Sequence, residues 1–206
     1  SHSTVKIIYN GGSQPGAGNV VGFNANFGIR ILATGTQPST GNTLQGNFIG
    51  TNGAESNLGN GITGVVIVGA SGTTVGGSAP GEGNTIGFNG ENGILIQGLN
   101  DQLAIDTVVQ GNFVGTNAMG ANLGNAFSGI IIGNASNNTV GGSTPGAGNT
   151  VGFNTTFGIA IIADIGATST TGNLIQGNFV GTSSTGEAMG NLLDGIYLEE
   201  VTGNTI

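Results

Sequence analysis

Residues 11–24 read GGSQPGAGNVVGFN, residues 76–89 read GGSAPGEGNTIGFN and residues 141–154 read GGSTPGAGNTVGFN. One string thus recurs at a fixed interval of 65 residues. A chain of this kind is bound to fold as a stack of like units. Repeated sequence repeats local structure, and each unit can bury its apolar side only against the next. The units run 11–75, 76–140 and 141–206, after an N-terminal extension of residues 1–10.

The 44 glycines among 206 residues need a place in that stack. Collagen demands glycine at every third position and abundant proline, and this chain has four prolines without that period. Disorder demands few apolar residues, whereas 36% are apolar here and only 6% are charged. The glycines are therefore punctuation, set at turns that need unusual backbone angles.

A shorter rhythm lies inside each unit. Asn19, Asn47, Asn84, Asn112, Asn149 and Asn178 each sit in a Gly-Asn-x-x-Gly segment, from GNVVG at 18–22 to GNFVG at 177–181, with spacings near 28 and 37 in alternation. A Gly-apolar-x-apolar segment interleaves with it: GIRI from 28, GVVI from 64, GILI from 93, GIII from 129, GIAI from 158 and GIYL from 195. A looser third segment reads NTL at 42–44, TTV at 73–75 and NTV at 138–140. Three short strands per turn, bounded by Gly or Asn, predict an all-β, three-sided solenoid of about six coils in three double-coil repeats. Strands stacked about 4.8 Å apart make six coils roughly 29 Å long. The inward pairs are expected at Ile29/Ile31, Val65/Ile67, Ile94/Ile96, Ile130/Ile132, Ile159/Ile161 and Ile196/Leu198. The six asparagines are expected at a bend, each side-chain amide bonded to those above and below as a structural ladder.

Gly-Ile-x-Ile, then Asn-Thr-Ile, then GNxIGTNxxG resembles the right-handed parallel β-helix repeats of secreted bacterial proteins, related in fold to pectate lyases. The resemblance spans about residues 11–206. It implies a right-handed helix and an extracellular or cell-surface location; function does not follow from it, because sites are grafted onto folds.

Charge narrows the partners. The net charge is −8, and Lys6 and Arg30 are the only basic side chains. Nucleic acid and anionic membrane surfaces both require Lys and Arg, so neither is an expected partner. No apolar run nears the roughly 20 residues that span a bilayer. The chain has no cysteine, and its one histidine, His2, lies in the extension, so nucleophilic triads have no basis. Glycosidase chemistry needs two carboxylates about 5–10 Å apart. The ten acidic residues scatter over different loops, and the nearest candidate pair, Asp101 with Asp164, reads as loop charge or a weak calcium contact. No catalytic residue, cofactor or resident metal is expected. Ice binding through the row Thr51, Thr116 and Thr182 is disfavoured, since these recur only on alternate coils and read as turn residues.

The surface and the ends carry what remains. The outward position of the Gly-apolar-x-apolar strand holds Arg30, Val66, Leu95, Ile131, Ala160 and Tyr197. Val66, Leu95, Ile131 and Tyr197 form a candidate lateral contact with another protein, unless neighbouring loops fold over them. TVKIIY at 4–9 is the densest β-forming run, and Thr205-Ile206 matches Thr139-Val140 just before the next Gly-Gly-Ser would begin. Neither end reads as a cap, which leaves open strand edges. Two explanations are open: an excised piece of a longer array, or a subunit whose ends stack head to tail. Thr4, Val5, Ile7, Ile8, Tyr9, Thr205 and Ile206 are the candidate assembly residues, with the N-terminal strand adding to a neighbour's last coil. The expected function is an extracellular structural protein, a homopolymeric filament or stalk subunit. An adhesin or glycan-binding module, with sugar as partner, is the alternative, and a carbohydrate-active enzyme comes third.

Overall fold

The computed structural model describes residues 8–10, 18–33, 38–99, 104–164 and 170–206. Eighteen strands and no helix make up these residues. The strands form three six-stranded sheets, each taking one strand from every coil, and every pairing is parallel. The first face comprises Ile8–Asn10, Thr43–Gln45, Thr74–Gly76, Val108–Gln110, Thr139–Gly141 and Leu174–Gln176. The second comprises Val20–Val21, Phe48–Ile49, Thr85–Ile86, Phe113–Val114, Thr150–Val151 and Phe179–Val180. The third comprises Ile29–Leu32, Val65–Val68, Ile94–Gln97, Ile130–Gly133, Ile159–Ile162 and Ile196–Glu199. The chain is a three-sided right-handed parallel β-helix, the hand that parallel crossovers of L-residues take.

Register explains why the repeat is so strict. Ile94 pairs with Val65 on one side and Ile130 on the other, and Ile96 with Ile67 and Ile132. Strand alternation turns those residues inward, so each column is a stack of aliphatic side chains. Val65, Ile67, Ile94, Ile96, Ile130, Ile132, Ile159 and Ile161 are all 0% exposed. Ile49, Ile86, Val114 and Val151 on the second face, and Val75, Val109 and Val140 on the first, complete one continuous core. A one-residue slip in any coil would send its whole aliphatic set to solvent.

The glycines follow from the tight stacking of corners. A Cβ at Gly83 would collide with the carbonyl of Gly111 one coil on. Gly115 needs a φ of 77°, and a side chain there would meet the Gly152 carbonyl. Here the coils approach too closely for any other residue.

Within the N-terminal strand expected over 4–9, the described part is Ile8–Asn10, where register sets Tyr9 opposite Leu44 and Asn10 opposite Gln45 in the outermost row of the first sheet. Thr4, Val5 and Ile7 lie outside the described residues. The outward stripe is partly covered, the alternative that the sequence left open. Val66 is 3% and Ala160 0% exposed, because each short side chain sits in register between two longer ones, Arg30 and Leu95 or Ile131 and Tyr197. Leu95, Ile131 and Tyr197 remain half-buried.

The core is closed in the middle and open at its ends. Leu198, the last residue of its column, is 41% exposed. Denaturant unfolding of single chains should therefore show a large loss for Ile94→Ala, about 2–5 kcal/mol, and a much smaller one for Leu198→Ala, about 1 kcal/mol. Equal losses would contradict the open-ended core.

Candidate assembly faces and the asparagine ladders

The six expected asparagines do form a ladder. The Nδ2 of Asn19, Asn47, Asn84, Asn112 and Asn149 donates to the Oδ1 of the next asparagine at 2.8, 3.0, 2.9, 2.9 and 2.8 Å. The backbone N–H of each donates to the same Oδ1. The second Nδ2 hydrogen goes to a strand carbonyl, as from Asn84 to Leu44 at 2.8 Å and Asn149 to Val109 at 2.8 Å. Every polar atom of an interior rung is thus satisfied, which burial at 0–3% exposure requires.

The structure adds a second ladder that sequence reasoning missed. Asn24, Asn60, Asn89, Asn125, Asn154 and Asn191 are linked Nδ2 to Oδ1 at 2.8–2.9 Å, again with the backbone N–H on the same oxygen. The signal was present as Gly-Phe-Asn in odd coils and Leu-Gly-Asn or Met-Gly-Asn in even ones. It was hidden because odd coils join the two ladders by a short corner, Asn19 to Asn24, and even coils by a long loop, Asn47 to Asn60. The short corners place Phe23, Phe88 and Phe153 at φ of 59, 59 and 60°, a conformation that costs a bulky residue about 1–2 kcal/mol. The loops carry Thr51 and Thr116, both fully buried, and Thr116 Oγ1 donates to the Ala121 carbonyl at 2.9 Å, as turn residues do.

A third ladder is broken. Asn138 donates to Asn173 and Asn173 to Asn204, at 3.1 and 3.0 Å. Threonine holds the same position at 73 and 107, as the backbone bonds from Thr74 to Asn42, Val108 to Thr73 and Thr139 to Thr107 show. The Thr107 N–H still reaches Asn138 Oδ1, but the hydroxyls of Thr73 and Thr107 are buried without a hydrogen-bond partner among the described residues.

Each ladder has a direction, and the two faces of the stack differ accordingly. Asn19 and Asn24 present Oδ1 acceptors that no described residue fills. At the other face the backbone N–H groups of Asn178 and Asn191 have no acceptor among the described residues. Beside the first face lies an opening of about 420 Å³ lined by Val21, Ile29, Ile31, Leu44 and the two rungs Asn19 and Asn47. Beside the other, Leu192, Leu193 and Leu198 are 74, 60 and 41% exposed. Of the candidate assembly residues, Ile8 and Tyr9 pair with Thr43 and Leu44, Thr205 makes one parallel bridge with Leu174, and Ile206 is 59% exposed.

Asp164 is exposed and accepts from Asn134 Nδ2 at 2.6 Å; its expected companion Asp101 lies outside the described residues. Among the described residues no group of three or more His, Asp or Glu could hold a metal. Tyr197 stacks on Phe157, with ring centres 4.3 Å apart and planes 4° from parallel. Desolvation there raises its hydroxyl above the ordinary value of about 10, and the neighbouring Glu199 and Asp194 carboxylates push the same way.

No family model, no curated protein and no solved structure matches the chain.

Two outcomes follow from these side chains. Thr73→Asn with Thr107→Asn should complete the third ladder from Asn42 to Asn204 and raise stability by about 1 kcal/mol or more, read as a higher denaturant midpoint. In a Tyr9→Phe background, the tyrosinate absorbance of Tyr197 should titrate above pH 10, and Glu199→Gln should lower that midpoint. A raised folded value means the fold retains the neutral phenol. Its contribution to stability is present below about pH 10 and is lost as pH rises through the raised value.

Proposed function

We propose that the chain is an extracellular structural protein, a subunit of a filament or surface stalk built by end-to-end stacking of β-solenoids. One observation carries this reading. Aliphatic columns that are fully buried through the middle coils end in half-buried or exposed side chains at Val21, Ile29, Val180, Ile196 and Leu198, beside strand edges that no described residue pairs. Another solenoid coil is the surface best matched to such a face, since it offers the same columns at the same spacing. The scatter of acidic side chains and the single exposed cation among described residues, Arg30, favour a scaffold over a catalyst. In this reading the chain shares the build of secreted pectate-lyase-like helices without their catalytic residues.

An adhesin or glycan-binding module is the second reading, favoured by one feature. Phe48, Phe113 and Phe179 stand outward on the second face at every second coil, half-buried or exposed. A periodic row of rings of this kind is suited to a long ligand lying along the rod.

Electron microscopy of the untreated protein separates the two. Uniform fibres with an axial repeat near 29 Å, about six coils of 4.8 Å, are expected for end-to-end stacking. Short separate rods would favour the second reading. Removing residues 1–9 strips the row opposite Thr43 and Leu44, and should abolish fibres while the remaining coils keep their thermal transition. Fibres formed by the shortened chain would show that this strand has no part in assembly.

A further inference from the structure

The ladders bear on how two copies meet. All ten Nδ2–Oδ1 bonds between the twelve asparagines of the two complete ladders run in one direction, from the N-terminal coil toward the C-terminal coil. Among the described residues one face of the stack therefore ends in Oδ1 acceptors, Asn19 and Asn24, and the opposite face in the backbone N–H donors of Asn178 and Asn191, whose Nδ2 groups donate to strand carbonyls at Val140, Gln176 and Val151. Like faces cannot satisfy one another: two acceptor faces have no hydrogen to share, and two donor faces no lone pair. Opposite faces match rung for rung.

We infer that the partner of each face is the opposite face of a second copy of this chain, so that Asn178 and Asn191 of one copy donate to Asn19 and Asn24 of the next and the assembly is polar. This rests on the filament reading above and fixes its geometry. The apolar parts also meet, since Leu198, 41% exposed, continues the column of Ile31, which lines the 420 Å³ opening.

The first face behaves differently at such a junction. Thr205 bridges Leu174 in the way that Ile8 pairs with Thr43. Residues 204–206 of one copy and Ile8–Asn10 of the next would occupy a single level, so the segment held by the single Thr205 bridge yields and Ile8–Asn10 of the next copy lies beside Leu174–Gln176, as the expected loss of fibres on removing residues 1–9 requires.

Asn178→Asp with Asn191→Asp tests this. Aspartate keeps the oxygen that accepts from Asn149 and Asn154 within the chain, but removes the Nδ2 hydrogens, which also donate to the Val140, Gln176 and Val151 carbonyls, and turns a carboxylate toward the next copy's Oδ1. The variant should keep a cooperative thermal transition, at a lower midpoint for the lost carbonyl bonds, and lose sedimentable fibre by about tenfold or more. Mixed in small amounts with the wild-type chain, it should add through its intact acceptor face and then stop growth, shortening the fibres. Leu198→Glu, a change at an exposed side chain, should block assembly likewise and serves if the double variant does not fold. Fibres unchanged by these substitutions, or images in which copies meet like face to like face, would overturn the polar junction and leave the filament reading standing. Wild-type chains that remain single at high concentration would overturn both.

Discussion

The vertical hydrogen bond between identical asparagines is the interaction on which this fold depends. A solenoid corner must bend the chain, and bending exposes backbone N–H and C=O groups that the flanking strands cannot reach. Those groups are buried here, and a buried unpaired polar group is costly. An asparagine at the bend solves this in one residue: its Oδ1 accepts from two donors of the preceding coil, and its Nδ2 donates both onward and to a strand carbonyl. The bond works only between equivalent positions of adjacent coils. It therefore locks register in the same step that satisfies the corner, and the aliphatic columns inherit their alignment from it.

That dependence explains what was readable in the sequence. The strands, the inward pairs and the first ladder were legible because each recurs in the same local frame; Gly-Asn-x-x-Gly appears in every coil. The second ladder escaped because the residue before its asparagine alternates between Phe and Gly, and the distance from the first ladder alternates too. Only stacking shows that Asn24 and Asn60 share a position. The burial of Val66 was not legible for a related reason. Strand alternation correctly turned it outward, but exposure also depends on the lengths of its neighbours in register, Arg30 and Leu95, which lie a whole coil away in sequence.

The N-terminal strand shows the opposite limit. Its composition announced a strand, yet composition contains no register, and only the structure sets Ile8–Asn10 against Thr43–Gln45. The donor and acceptor character of the two faces was not legible, because amide direction is a property of the stacked ladder and of no single residue.

The broken third ladder has a mechanical meaning. Two corners of the triangular rod are stitched along their whole length by side-chain amides, whereas the third lacks those stitches where Thr73 and Thr107 replace asparagine. A rod with one unstitched edge is stiffer toward some directions than others. Under sideways load its coils should part first along that edge, near the rod's middle, so that it flexes in a preferred plane instead of bending equally all round.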